Sequence, residues 1–577
     1  MKRIIICCDG TWMDSDGSVQ VPSNVTRIAR SIKPTARLPN GTEIAQLIFY
    51  QNGIGTGTNS AYDKYIGGVT GAGMAENIRE AYSAICLNYS PGDEIFLLGF
   101  SRGAFTARSI SSLIREIGLL TARGLQYFIQ IFEDWEYQLK DGWKTSYPDK
   151  PWPGHKPPVT ADEYQRQLLH HELTRPNIPI KAVAVWDTVG SLGIPMIGIL
   201  PQPPSTDFAF VDTKVEPNIE YAIQALALDE HRRAFTPTVW EKPKGQELPR
   251  VLKQTWFPGV HSDVGGAYDD TDLANITLCW MVNQLDSLLE FDEEYLWREI
   301  RLAIEHDREQ RKKDPKSSSL PHPLPRLRDW GLGKIHDSMT AFYRLGGSRI
   351  RTPNEYTNQT AVSQHGQLFY FTRRTLFWWA THLGLFKRPS RPRLEGTNET
   401  VHASVRVRMG QQGLGYNDTG LYDSDALRGW TMYGDLTDPD TPIRQEIHGE
   451  AGRMKNVEWR KTIKVKNEKG QEEEETLVMP EDPMGNFEKR ILSLWPRIAN
   501  SFDSTLPGNH NRVLHHAHTD PAQHASEQQK GQQEQPHQQG AGAVQSPTKT
   551  NNAITITIPV VQNGRHEGPG IGRVDTF

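Results

Sequence analysis

A serine between two glycines is the strongest chemical signal in the sequence. Ser101 lies in the run G-F-S-R-G, from Gly99 to Gly103, and fits the pattern G-x-S-x-G. An apolar run precedes the serine and a helix-like pattern follows it, so we expect a strand, a sharp turn and a helix. Such a turn presents the serine Oγ beside the first N–H groups of the helix, here that of Arg102. These residues could attack a carbonyl carbon and stabilise the oxyanion that forms.

A serine hydroxyl is a weak nucleophile at neutral pH and needs a base, which is itself oriented by an acid. His261 is the favoured base, because it follows a predicted strand and comes after serine and acid along the chain. Asp187 is the favoured acid, because it directly follows the apolar run Ile180–Trp186, at the strand end where open α/β sheets place their chemistry. Asp229 and Asp263 remain alternative acids.

A second loop of interest follows the first apolar run, Ile4–Cys8, and reads Asp9, Gly10, Thr11. We expect the N–H of Gly10 or Thr11 to complete an oxyanion hole with that of Arg102. A turn in which Asp9 binds nearby amides is an equal alternative. Phosphoryl transfer through Asp9 is disfavoured, because that chemistry needs a second aspartate where Thr11 stands.

Apolar runs that alternate with helix-like patterns would position these residues. The predicted strands are Ile4–Cys8, Ile44–Tyr50, Ile95–Leu98, Ile180–Trp186 and Val251–Phe257. The predicted helices are Ser23–Ile32, Met74–Leu87, Ala104–Ile117, Ile219–Asp229 and Glu293–Lys313. This alternation predicts an α/β fold with a mostly parallel sheet flanked by helices.

Length and composition favour more than one unit. The chain has 577 residues, a net charge of −5 and four cysteines. The small charge predicts no nucleic-acid partner, and the few cysteines favour a reduced, cytoplasmic protein. We expect a catalytic domain over residues 1–313, in which residues 121–178, rich in Trp, Tyr and Pro, form a cap-like insertion.

The remaining chain carries weaker signals. Residues 314–502 are expected to form a partly folded extension that packs on the catalytic domain, and residues 503–577, rich in Gln, His, Ser and Gly, a disordered tail of unknown partner. The segment 373–393 joins an apolar run to basic flanks. A buried helix is the favoured interpretation of that segment, and peripheral contact with an anionic membrane is the alternative.

Six blocks between residues 1 and 285 together resemble a known family. They are C-D-G-T-W, G-x-G-T-G, G-F-S-R-G-A-F-T-A-R, V-W-D-T-V-G-S-L-G, A-L-D-E-H-R and W-F-P-G-V-H-S-D-V-G-G-A-Y. The set looks like an uncharacterised α/β-hydrolase domain family that includes type VI secretion phospholipase effectors and many fungal proteins. The resemblance implies an α/β-hydrolase fold and a serine esterase or phospholipase activity, with Ser101, Asp187 and His261 on the family's motifs.

The sequence therefore predicts a serine hydrolase that cleaves carboxylic esters, among them lipid-like esters, through an acyl-serine intermediate and without a cofactor. Two alternatives stay open. One is a metal-dependent hydrolase that uses Asp9, Asp187, His261 and Asp263. The other is a non-catalytic scaffold with a hydrolase fold, whose tail recruits partners.

Overall fold

The computed structural model describes residues 1–10, 13, 21–53, 71–138, 144–154, 156–189, 213–313, 329–340, 343–344, 347–357, 393–434, 456–466, 471–496 and 498–499. Three features predicted from the sequence lie outside these residues: Thr11, all but the last residue of the segment 373–393, and the tail 503–577.

Thirteen strands occur in the described part of the chain, and eleven of them form one sheet. The strands are β1 Arg3–Cys8, β2 Thr35–Arg37, β3 Glu43–Gln51, β4 Glu94–Phe100, β5 Leu119–Leu120, β6 Thr174–Arg175, β7 Ile180–Trp186, β8 Ile219–Ala227, β9 Val251–Phe257, β10 Glu399–His402, β11 Thr431–Tyr433, β12 Glu458–Lys466 and β13 Glu472–Asp482. The order across the sheet is β11-β12-β13-β10-β9-β8-β7-β4-β1-β3-β2. Strands β5 and β6 pair separately.

The middle of the sheet is parallel, and this decides where the chemistry can lie. From β13 to β3 every neighbouring pair runs in the same direction, whereas β2, β11 and β12 pair antiparallel. The carboxyl ends of β4, β7 and β9 therefore meet at one edge of the sheet. Ser101, Asp187 and His261 follow these three strands, so the topology gathers them at that edge.

Helices cover both faces of the sheet. They are α1 Asn24–Ser31, α2 Gly71–Asn88, α3 Arg102–Ile117, α4 Ala122–Leu125, α5 Phe128–Glu136, α6 Asp162–His170, α7 His261–Gly265, α8 Asp272–Leu285, α9 Glu293–Lys313, α10 Ala403–Gly410 and α11 Asn486–Leu492. One apolar core joins α2 and α3 to the sheet, and a second joins α1, α8, α9 and α11 to its other face. None of the described helices is long and apolar enough to cross a bilayer.

The predicted helix Ile219–Asp229 is wrong: this stretch is strand β8, which ends at Ala227. Its Ala and Leu residues fit a helical pattern, and no alternation of polar and apolar residues marks it as a strand. The missing alternation has a physical cause, because β8 lies between β7 and β9 and six consecutive residues, Ala222–Ala227, are buried. A strand covered on both faces gains from apolar residues at every position.

The predicted insertion, residues 121–178, contains α4, α5 and α6. Its large side chains, among them Trp135 and Tyr164, are buried in the same core as α2 and α3. The insertion is thus fastened to one face of the sheet, and its role as a cap over a substrate cleft stays a prediction.

Strands from the C-terminal extension continue the sheet. β10 pairs with β9, and β13 then pairs with β10, both in parallel. Strands β12 and β13 pair antiparallel, and a third apolar core lies around Trp256 and Trp459. The boundary at residue 313 stays a prediction, but hydrogen bonds of one sheet run across it.

Candidate active site

Ser101 lies on a strained turn between β4 and α3. Its φ of 59° and ψ of −121° fall where residues with a Cβ are rarely found. The Ser101 N–H donates to the carbonyl of Trp186, at the end of β7, over 3.1 Å. Helix α3 begins at the next residue, Arg102, so the serine stands at the positive end of the helix dipole. The strand, turn and helix predicted from G-x-S-x-G are confirmed.

The two glycines of the pattern are required by close backbone contacts. A Cβ added to Gly103 would lie 2.1 Å from the carbonyl oxygen of Cys8, and one added to Gly99 would lie 2.5 Å from that of Gly103. Side chains at these positions would push α3 away from the sheet. The glycines therefore fix the distance between β1, β4 and the first turn of α3, and hence the position of Ser101.

The structure brings the three predicted residues together in one chain of hydrogen bonds. His261 Nε2 lies 2.8 Å from Ser101 Oγ, and His261 Nδ1 lies 2.6 Å from Asp187 Oδ2. The three residues are 7, 3 and 0 % exposed in the order serine, histidine, aspartate. An ionised Asp187 can only accept, so Nδ1 carries the imidazole proton and Nε2 is left to accept from the serine hydroxyl.

Charge and burial favour this protonation state. Burial alone would raise the pKa of Asp187, but the charge of Arg351 and the hydrogen bonds from His261 and Arg351 outweigh it and hold that pKa well below its usual range. Burial lowers the pKa of His261 below its ordinary value of 6.5, although Asp187 opposes the shift. At neutral pH the site therefore holds a carboxylate and a neutral imidazole, which is the state that a general base needs.

Two aromatic rings hold the imidazole. The centroid of Phe100 lies 4.7 Å from that of His261, and Phe235 meets the imidazole edge-on at 4.9 Å. The backbone N–H of His261 donates to Glu230 Oε2 over 3.2 Å, and Glu230 also pairs with Arg232. Packing and hydrogen bonds thus restrain the ring from several sides.

The loop after β1 forms the turn in which Asp9 binds a nearby amide, which was the alternative to an oxyanion-hole loop. The Asp9 carboxylate accepts hydrogen bonds from the N–H of Gly10 at 2.6 Å and from the hydroxyls of Ser23, Thr26 and Tyr50. Gly10 nevertheless adjoins the elbow, which is the strained turn at Ser101 between β4 and α3, because a Cβ added to Gly10 would lie 3.5 Å from Ser101 Cβ. The N–H of Gly10 is engaged by Asp9, so its part in an oxyanion hole stays a prediction.

The two alternative acids bind other groups. Asp229 accepts from the N–H of Gly259 at 2.7 Å and from the hydroxyls of Tyr422 and Ser424. Asp263 accepts from the N–H of Val260 and from His336. Both carboxylates brace the loop that carries His261 or the chain beside it. In the structure, the carboxylate that contacts the imidazole of His261 is that of Asp187.

The four residues of the metal-dependent alternative are not gathered into one site. Asp9, Asp187 and Asp263 each accept hydrogen bonds from a different set of donors. No cluster of three or more candidate metal ligands occurs among the described residues. The arrangement of these side chains thus does not favour that alternative.

Sequence reasoning missed Arg351. Its guanidinium lies against the Asp187 carboxylate, with Nη1 at 2.5 Å from Oδ1 and Nη2 at 2.9 Å from Oδ2. The residue is 3 % exposed and stands 164 positions after the aspartate. It lies in no motif, in a stretch that reads R-I-R-T-P, so no signal in the sequence could have indicated it.

The parallel sheet, the elbow and the Ser101, His261 and Asp187 geometry define an α/β-hydrolase fold. Residues 2–284 match the family model described as the catalytic domain of the Tle1-like phospholipase effectors of type VI secretion. This match covers 283 of the 577 residues and agrees with the resemblance noted in the sequence.

Two individual proteins are also similar to this chain. An uncharacterised protein of Saccharomyces cerevisiae, YEL023C, is 28 % identical over 250 residues, which are 41 % of this chain and 32 % of the yeast protein. The chain thus spans about a third of the length of that relative. A structure of the Tle1 effector bound to the VgrG spike of the type VI secretion system is 17 % identical, with a TM-score of 0.24, over 47 % of this chain and 52 % of that one.

Proposed function

We propose that this chain is a serine hydrolase that cleaves carboxylic esters of phospholipids or similar lipids. The observation that carries the proposal is the continuous hydrogen-bonded chain from Ser101 through His261 to Asp187, on a strained turn at the carboxyl edge of a parallel sheet. Each side chain has the neighbour that nucleophilic catalysis requires of it.

In the first half of the reaction, Ser101 Oγ attacks the ester carbonyl carbon while its proton passes to His261 Nε2. Asp187 stabilises the imidazolium through Nδ1–H, and the tetrahedral intermediate carries its negative charge on the former carbonyl oxygen. His261 then gives the proton to the departing alcohol as the carbon–oxygen bond breaks. A water molecule then attacks the acyl-serine in the same way, with His261 as general base, and the carboxylic acid product is released.

The oxyanion would be bound at the first turn of α3. The backbone N–H of Arg102 directly follows the nucleophile, at the positive end of the helix, and this is the donor that the elbow geometry supplies in hydrolases of this kind. A second donor from the loop after β1 requires the N–H of Gly10 to turn from Asp9 towards the oxyanion. Gly10 lies close enough to Ser101 for this, because a Cβ added to Gly10 would lie 3.5 Å from Ser101 Cβ.

The family description supports the substrate class. A phospholipase effector acts on lipid esters, and residues 2–284 match the catalytic domain of such effectors. Contact with an anionic membrane, the alternative interpretation of the segment 373–393, would suit a substrate that lies in a bilayer. We accordingly propose a cytoplasmic enzyme that works at a membrane surface.

Labelling with a fluorophosphonate probe tests the proposal directly, because such probes react only with activated serines. The purified full-length chain is compared with Ser101→Ala and His261→Ala. Ser109→Ala is the matched control, since this buried serine of α3 has no hydrogen-bond partner for its hydroxyl among the described residues. Labelled and control variants are then assayed against short-chain esters and phospholipid vesicles.

We expect labelling of the wild type and of Ser109→Ala, and none of Ser101→Ala or His261→Ala. Release of fatty acid from vesicles would establish the lipid substrate, whereas hydrolysis of short esters alone would refute it. An unlabelled wild type would overturn the serine mechanism. If activity were then lost on addition of a chelator, the metal-dependent alternative would be favoured. If chelators had no effect, a non-catalytic scaffold would be favoured.

A further inference from the structure

A buried arginine from the C-terminal extension holds the acid of the proposed site. Arg351 spans both oxygens of Asp187 with two guanidinium nitrogens. The same two nitrogens donate to the carbonyls of Ala227, at 2.7 Å, and Phe235, at 2.9 Å. One side chain thus joins the acid to the end of β8 and to the turn whose Phe235 ring packs against His261.

The backbone around Arg351 is fixed on both sides. The N–H of Arg349 donates to the carbonyl of His231 over 2.9 Å. After the arginine, the N–H of Asn354 donates to Glu399 Oε2 over 2.8 Å, and that same oxygen accepts from Trp256 Nε1. Glu399 begins β10 and Trp256 belongs to β9, so the sheet itself determines where the guanidinium lies.

Charge balance shows what the arginine supplies. Asp187 is fully buried, and a buried carboxylate without a counter-charge would take up a proton or turn towards solvent. The neutral imidazole of the resting site cannot supply that charge. Arg351 supplies this positive charge. Its planar guanidinium also fixes the plane of the Asp187 carboxylate, since two parallel N–H···O hydrogen bonds allow only one relative orientation.

We propose that Arg351 is a positioning residue of the active site: by gripping both oxygens of Asp187, it keeps this acid ionised and directed at His261 Nδ1. The inference rests on the proposed function. It makes the extension part of the site, because the family model ends at residue 284 and Arg351 lies beyond it.

Other charges near the histidine are already balanced. Glu230 lies close to His261 and pairs with Arg232 at 2.8 Å. The carboxylate of Asp263, on the same short helix as His261, binds His336. Removal of the Arg351 charge would therefore change the electrostatic environment of Asp187 and His261.

The test measures the second-order rate constant of fluorophosphonate labelling as a function of pH in the full chain. Arg351→Lys keeps the positive charge but loses the bidentate hydrogen bond to Asp187, and Arg351→Met loses both the charge and the hydrogen bonds. Arg349→Met is the matched control, because it removes an exposed arginine from the same segment. Thermal unfolding of each variant is recorded alongside.

We expect Arg351→Lys to fold and to label about 10²-fold more slowly, with the acid limb of its pH profile close to that of the wild type. Arg351→Met should also label slowly, and its acid limb should move to higher pH, because Asp187 without its counter-charge takes up a proton at higher pH and then no longer orients His261. Arg349→Met should match the wild type in rate and profile.

Wild-type labelling rates in Arg351→Lys or in folded Arg351→Met would overturn the inference and leave the proposed function standing. A slow Arg351→Met with an unmoved acid limb would also count against it, because loss of structure alone lowers the rate without moving the acid limb. An unlabelled wild type would refute the proposed function and this inference together.

Discussion

Lys253 and Asp482 form an ion pair of 2.9 Å between positions 229 residues apart. The lysine lies on β9 and the aspartate ends β13, with β10 between the two strands. The same carboxylate accepts from Trp280 Nε1 over 2.6 Å, on the helix that follows the histidine loop. The part of the chain that matches the phospholipase effector model is therefore bound edge-to-edge to residues far beyond it.

We predict that a chain truncated after residue 313 will not fold to a soluble protein. Truncation would leave β9 as an open edge of the sheet. It would also uncover Trp256, which is fully buried in the third apolar core, around Trp256 and Trp459. Unpaired parallel strands with apolar faces aggregate. Soluble yield and far-ultraviolet circular dichroism measure the effect.

A truncation after residue 516 is the control for that experiment. It retains the whole compact unit Met1–His516 and with it all the described helices and strands. We expect its melting temperature and serine labelling to equal those of the full chain. A soluble, labelled fragment 1–313 would show that the extension is dispensable.

The second prediction concerns pH. Burial lowers the pKa of His261 below 6.5, and the base must be neutral to accept the serine proton. Activity should therefore persist below the ordinary histidine range and fall only as pH drops through the lowered pKa. The logarithm of kcat/KM against pH, measured with a soluble ester, gives this value. An acid limb centred above 6.5 would contradict the expectation.

The third prediction separates the three aspartates. Asp187→Asn should lower kcat by about 10³–10⁴-fold, because an amide at that position no longer fixes the tautomer of His261. Asp229→Asn and Asp263→Asn should instead destabilise the protein by about 1–3 kcal/mol each, through loss of buried charged hydrogen bonds, and keep most of the activity. Parallel measurement of kcat and of unfolding in urea distinguishes the two effects.

The fourth prediction tests the close packing at the elbow. Gly103→Ala should cost about 3 kcal/mol or more of folding free energy, because its Cβ would meet the carbonyl of Cys8. Gly92→Ala is the control: its φ of +92° is unfavourable for alanine, but no atom lies within 4 Å of the new Cβ. We expect the control to lose only about 1–2 kcal/mol. Equal losses in both variants would mean that the contact with β1 is unimportant.

Local signals made the elbow and most of its supporting elements predictable. A strand, two glycines and an amphipathic helix lie within about 25 residues, and each is favoured by its own residues. The predicted strands Ile180–Trp186 and Val251–Phe257 match β7 and β9 residue for residue. Chain order then placed the aspartate and the histidine after these strands.

Features that depend on distant partners could not be predicted. β8 was predicted to be a helix because burial on both faces removed its alternation, and burial of that kind is decided by neighbouring strands. The choice of Asp187 over Asp229 and Asp263 needed geometry, since all three follow strands or adjoin the histidine. Arg351 gave no signal at all, because a lone arginine between turns has no recognisable spacing.

The position of Arg351 along the chain has a consequence for biosynthesis. A ribosome releases Ser101, Asp187 and His261 long before residue 351, and before β10 can close the edge of β9. A nascent chain at that stage carries the nucleophile and the base while its acid still lacks the counter-charge. On the proposed mechanism, hydrolytic competence would thus be delayed until the segment that carries Arg351 has been translated.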